Sequence, residues 1–161
     1  MQGRAADVRT IAPIHMIALI QRVLNAHVEV DGATVGAIGA GLVALVAVQP
    51  GDGEAQTQRL LDRILGYRVF ADAQGRMNRS LAETGGGLLL VSQFTLAADT
   101  KKGMRPGFST AASPADAEHG FDRLVQLARA QHPRVEIGRF GAHMRVHLVN
   151  DGPVTFWLEA H

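Results

Sequence analysis

The stretch Asn150-Asp151-Gly152-Pro153-Val154-Thr155 (NDGPVT) decides how the chain is read. Before it, Met144, Val146 and Leu148 alternate with Arg145 and His147. After it, Val154, Phe156 and Leu158 alternate with Thr155 and Trp157. A period of two marks a strand with one buried face, so NDGP is expected to join two strands. Gly152 accepts backbone angles closed to other residues, while Pro153 fixes its own φ and lacks an amide proton. On local chemistry alone the joint is a reverse turn.

Upstream, the pattern is also strand-rich. Ile17 to Val23 is an apolar run interrupted by Gln21-Arg22, and Val28 and Val30 alternate up to Asp31-Gly32, a hairpin signal. Val35 to Ile38 follows, then Leu42 to Val48, a near-continuous apolar strand; these short connections predict a meander. Gly36 to Gly41 (GAIGAG) has the wrong glycine order for a dinucleotide fingerprint and reads as a turn or bulge.

Two helices are predicted. Leu60, Leu61, Ile64 and Leu65 share one face between Glu54 and Gly66, with Asp52 as the expected N-cap. Ser113-Pro114-Ala115-Asp116 opens the second, whose stripe is Phe121, Leu124, Val125 and Ala128, and Pro133 ends it. Tyr67–Phe70, Leu88–Val91 and Arg134–Ile137 read as further strands. The expectation is a single α+β domain over residues 16–161, with a mainly antiparallel, barrel-like sheet and two helices. Residues 1–15 read as a loosely ordered extension, with Met16 resembling a natural start.

Composition narrows the chemistry. The chain has 161 residues, a net charge of +1 and no cysteine, which excludes disulfides and thiolate chemistry and suits the cytoplasm. Such a charge is no coat for long nucleic acid, although all but two of the 16 basic residues are arginine, the better phosphate fork. No apolar run approaches the ~20 residues of a membrane helix. His143 and His147 on one strand would stand about 13 Å apart, too far for one ion, and read as a solvated face. Ser92 and Thr95 bracket a strand end, where rigid elements aim reactive groups; the plainer reading is hydroxyls capping that end. Lys101, Lys102 and Arg105 lie in a Gly/Pro-punctuated loop that reads either as solvated or as a phosphate contact.

Taken together, SQFTL (92–96), DTKKGMRPGF (99–108), GRFGAHM (138–144) and NDGPVT (150–155) strongly resemble the D-aminoacyl-tRNA deacylases, as do IALIQRV, VDGATVGAIGAGL and RVFADAQGRMNRSL. The likeness runs in order from Met16 to Glu159. It implies a homodimer that hydrolyses the ester joining a D-amino acid, or glycine, to the 3′ end of tRNA. It implies no cofactor, metal, membrane or DNA partner. The family's SQ-x-T motif falls on Ser92, Gln93, Phe94 and Thr95, with the Gln93 backbone N–H as the implied oxyanion donor. Its Gly-cisPro motif falls on Gly152 and Pro153, whose carbonyls, reaching into the other subunit's pocket, would face the substrate ammonium and exclude an L side chain. Arg22 matches the arginine steadying that loop, and Met144 and Ala112 match pocket walls. Lys101, Lys102 and Arg105 are the implied tRNA contacts, and Met104 and Gly107 are less typical there. The base is either Thr95 or the substrate's own 2′-OH, and the lack of a neighbouring His or carboxylate favours the latter. Two alternatives stay open: a nucleic-acid-binding module without turnover, and a small-molecule esterase or amidase.

Overall fold

A strand as long as Met16–Val30 exposes two edges that no single neighbour of ordinary length can cover, and the topology follows from how they are shared. In the computed structural model, which describes residues 16–109 and 111–161, this strand (β1) is the axis of the sheet. The expected extension at 1–15 lies outside the described residues. The remaining elements are β2 (Ala33–Ile38), β3 (Gly41–Ala47), α1 (Glu54–Gly66), β4 (Phe70–Ala71), β5 (Met77–Arg79) and α2 (Leu81–Thr84). They are followed by β6 (Gly87–Ser92), a 3-10 turn (Phe94–Ala97), α3 (Pro114–Gln131), β7 (Val135–Ile137) and β8 (Arg145–Ala160).

Along one edge of β1, Ile17–Val23 pair with β3 and Ala26–Val30 with β2; along the other, β8 pairs with nearly the whole length, all antiparallel. Asp31 (φ 50°) and Gly32 (φ 79°) make the tight turn between β1 and β2, the two-residue geometry that an Asp-Gly pair favours. The predicted meander stops there. β3 pairs with β1 and not β2, and then with β6 in parallel, as β6 does with β7. The sheet is therefore mixed, because α1 and α3 carry the chain back across one face. It also curls towards closure. A Cβ on Gly36 of β2 would come within 2.5 Å of the Ile137 carbonyl of β7.

The largest correction concerns NDGP. Both flanking runs pair with β1, so residues 145–160 form one strand without reversal. Between the Gln21–Thr155 and Val23–Asn150 pairs, the four residues Asp151–Val154 face Arg22 alone, which makes the joint a wide bulge.

Alternation sorts the core. Met16, Ala18, Ile20, Leu42, Ala44, Leu88 and Leu90 face α1 and α3, whose Leu60, Leu61, Ile64, Phe121 and Leu124 complete that cluster. Val23, Ala26, Val28, Val43, Leu89 and Val91 fill the inside of the curl. β6 is apolar at nearly every position because both of its faces are buried. Each of the buried Val, Leu, Ile, Phe and Met side chains stabilises the fold by about 1.5–3 kcal/mol.

The predicted limits of α1 hold, but its N-cap is Gly53; the Asp52 carboxylate instead accepts from the Gln49 amide at 2.6 Å. Tyr67 closes the last turn of α1, its amide donating to the Arg63 carbonyl, so the strand expected from 67 shrinks to Phe70–Ala71. Ser113 caps α3 as expected, accepting from the Asp116 amide. No helix of the described residues is long and apolar enough to cross a membrane.

Candidate active site

β6 runs through the middle of the sheet and stops at Ser92, paired with Val46 of β3. The next amide, Gln93, still donates to the Val46 carbonyl (2.7 Å), so the ladder reaches one residue further. The chain then tightens into its 3-10 turn, with the Leu96 amide on the Gln93 carbonyl and the Ala98 amide on that of Thr95. The Gln93 side chain bends over the turn and donates to the Thr95 hydroxyl. Phe94 stands exposed, its ring 5.3 Å from that of Phe108.

Here opens a cleft of about 450 Å³. Ser92, Gln93 and Phe94 form one side, Ala112, Pro114 and Ala117 at the head of α3 a second, and the loop from Phe140 to Met144 a third. Such a largely apolar hollow with a few polar groups is the common form of a small-ligand site. The loop is shaped by a turn at Gly141 (φ 75°), where the Ala142 amide donates to the Arg139 carbonyl. Met144 folds back over Gly138, whose missing side chain makes the room: a Cβ there would stand 2.8 Å from the Met144 Sδ.

Five of the residues singled out in the sequence, Ser92, Gln93, Phe94, Ala112 and Met144, thus line one cleft. Thr95 sits on the turn beside it, held by Gln93. One expectation changes: the Gln93 backbone N–H, implied as an oxyanion donor, is committed to Val46. Phe140 and His143 were not foreseen. His143 precedes β8 instead of lying on it, and it is the titratable side chain among those lining the cleft. It forms no hydrogen bond with Ser92 or Thr95 among the described residues. Lys101, Lys102 and Arg105 stand exposed on an excursion whose neck is closed by two amide–carbonyl bonds between Asp99 and Gly107.

The bulge is braced from below. Arg22, with a side chain 17% exposed, donates through Nε to the Asp151 carbonyl (3.0 Å) and through Nη1 to that of Val69 (2.6 Å), and pairs with the Asp151 carboxylate. Asn150 accepts from the Val154 amide and donates to the Thr155 hydroxyl. The Gly152–Pro153 bond is cis, and Gly152 has φ 137°, closed to most L residues. A Cβ there would also meet Val154 Cγ2 at 2.6 Å. The tip is exposed and lines no part of this chain's own cleft.

The family model described as D-Tyr-tRNA(Tyr) deacylase matches residues 19–159. D-aminoacyl-tRNA deacylase of Stenotrophomonas maltophilia is 67% identical over 144 residues, covering 89% of this chain and 99% of that protein. Its counterpart in Azotobacter vinelandii is 66% identical over 145 residues, 90% of this chain and all of the other. Among solved structures, that of a c-Myc DNA Unwinding Element Binding Protein superposes with a TM-score of 0.86 at 35% identity, covering 90% of this chain and 99% of that one. A probable eukaryotic D-amino acid tRNA deacylase shares the fold, with a TM-score of 0.77 at 17% identity over 91% of this chain and 100% of that one. The motifs that build the cleft and the bulge lie within the matched span, and the chain belongs to the D-Tyr-tRNA(Tyr) deacylase family.

Proposed function

We propose that the protein hydrolyses the ester of D-aminoacyl-tRNA, and of glycyl-tRNA, in the cytoplasm, as a homodimer in which the Gly152–Pro153 tip of each subunit closes its partner's cleft. The observation that carries this reading is the separation of the two motifs. The tip is held by Arg22 and Asn150, yet it is exposed and absent from its own cleft. A braced, exposed protrusion fits a site on another molecule. The unpaired edge of β8, with Val149 and Trp157 about half exposed, offers a surface for that contact.

Chirality would then be enforced by exclusion. Backbone carbonyls at the tip cannot rotate away as side chains can, so they meet the substrate ammonium and leave no space for an L side chain. Rejection by clash is an effective route to specificity. In the reaction, a water oxygen attacks the ester carbonyl, the tetrahedral oxyanion collapses, and the bond to the ribose oxygen breaks as that oxygen takes the proton. An oxyanion donor is typically worth about 3 kcal/mol in the barrier. With the Gln93 amide engaged, the amides of Phe94 and Thr95, which have no backbone acceptor among the described residues, are the better candidates. Thr95 is a poor nucleophile here: its hydroxyl accepts from Gln93, and no imidazole or carboxylate is bonded to it to remove its proton. The neighbouring 2′-OH of the substrate instead assists the attacking water, holding it at the ester and relaying its proton towards the leaving 3′ oxygen. Lys101, Lys102 and Arg105 would meet tRNA phosphates.

The test is hydrolysis of matched D- and L-tyrosyl-tRNA. Rapid loss of the D ester with the L ester spared is expected; equal rates, or none, overturn the reading. A second reading, DNA binding without turnover, draws on the name of the 35%-identical structural relative, a DNA unwinding element binding protein. Duplex binding at physiological salt, together with an inert D ester, would favour it.

A further inference from the structure

Glu29 stands two residues beyond His27 on β1, on the same face, and His147 is the direct cross-strand partner of His27 on β8. The three side chains meet. His27 Nε2 lies 3.2 Å from Glu29 Oε1 and His147 Nε2 3.5 Å from Oε2, with all three ligand atoms within 4.8 Å of one another. The imidazoles are stacked, with centroids 4.3 Å apart and planes 6° from parallel. His143 lies in the loop before β8, whereas the β1–β8 ladder sets His147 directly against His27.

We infer that His27, Glu29 and His147 form a binding site for a divalent ion of borderline softness, zinc above all, that clamps β1 to β8. Ligands 2.0–2.1 Å from a tetrahedral zinc stand about 3.3 Å from one another, close to both imidazole–carboxylate separations. Two imidazoles and one carboxylate select zinc, nickel or copper over calcium or magnesium. Parallel stacked rings do not aim both lone pairs at one point. Capture of the ion therefore turns one ring out of the stack, a χ2 rotation that their partial exposure leaves free. Glu29 also lines a cavity of about 200 Å³ with Asp31, His143 and Arg145. Arg145, opposite Glu29 in the ladder, is the cation the ion must compete with. Nothing in this site depends on the ester chemistry proposed above.

Titration calorimetry with zinc chloride on the tag-free full-length chain, with thermal melts at each metal concentration, decides the matter. One zinc per chain is expected, with a Tm that rises with zinc by mass action and no response to calcium. Glu29→Gln and His147→Ser should each weaken binding beyond the ten- to hundredfold that loss of an outer-shell partner costs, and abolish the Tm shift. His143→Ser should bind as the wild type does. Absence of 1:1 binding, equal binding of calcium, or unchanged affinity in a folded His27→Ser/His147→Ser double variant would each overturn the site.

Discussion

At the scale of single residues, the cleft separates groups that react from groups that hold. Thr95 carries the motif's second hydroxyl, but its oxygen is occupied by the Gln93 amide and no base faces it. Thr95→Ala should therefore keep within about tenfold of wild-type kcat, a loss far below the 10²–10³ of a removed oxyanion donor. A D-aminoacyl substrate ending in 2′-deoxyadenosine should be nearly inert to both enzymes. Single-turnover rates with the two substrates check this. A dead Thr95→Ala enzyme, beside a wild type that cleaves the deoxy substrate normally, would return the nucleophile to Thr95. Arg22 is a holding group: its planar fork serves two carbonyls, those of Asp151 and Val69, that come from different parts of the chain. That role could be foreseen only through the family resemblance, because nothing local to Gln21-Arg22-Val23 says what lies opposite.

At the scale of elements, legibility follows the range of the interaction. The Asp31-Gly32 turn, the Ser113 cap and the limits of α1 are fixed by neighbours in sequence, and each is legible there. The parallel β3–β6 and β6–β7 pairs join segments separated by helices, and no local pattern encodes them. NDGP failed as a turn for the same reason. Gly-Pro permits a reversal or a bulge equally, and the choice is made by β1, which accepts both flanks in one ladder. Five cleft residues are those to which the resemblance gave a role, whereas Phe140 and His143, although inside GRFGAHM, reach the cleft by the tertiary course of their loop. GAIGAG illustrates the difference well: the chain does bend at Gly39-Ala40 between β2 and β3, as its glycines suggest, but the pairing of Gly41 with Gly87 of β6 is not written there. A Cβ on Gly41 would fall on the Gly87 backbone, which cannot move without breaking the parallel pair. Gly41→Ala should destabilise the fold by about 3 kcal/mol or more, at the upper end of single-substitution effects, read as a lowered urea midpoint with unchanged slope.

At the scale of the whole molecule, the sheet has one long strand left open. β8 pairs with β1 along one edge and with no described strand along the other, while Gly152 and Pro153 of its bulge are exposed. An open edge of this length is a liability in a lone subunit, and pairing two copies would remove it while delivering each tip to a partner.

If each tip serves its partner's cleft, as proposed, the absence of the tip from its own cleft has a genetic consequence. An allele carrying Gly152→Ala spoils a tip but leaves its cleft whole, and one carrying Ala112→Trp plugs a cleft but leaves its tip whole. Each homodimer should be dead. Co-expressed, the two should complement: a mixed dimer pairs the sound tip of one allele product with the sound cleft of the other and regains one working centre of two. Deacylation by the co-purified mixture, against neither parent alone, is the expected result; silence from a mixture shown by mass spectrometry to contain mixed dimers would mean that each chain serves only itself.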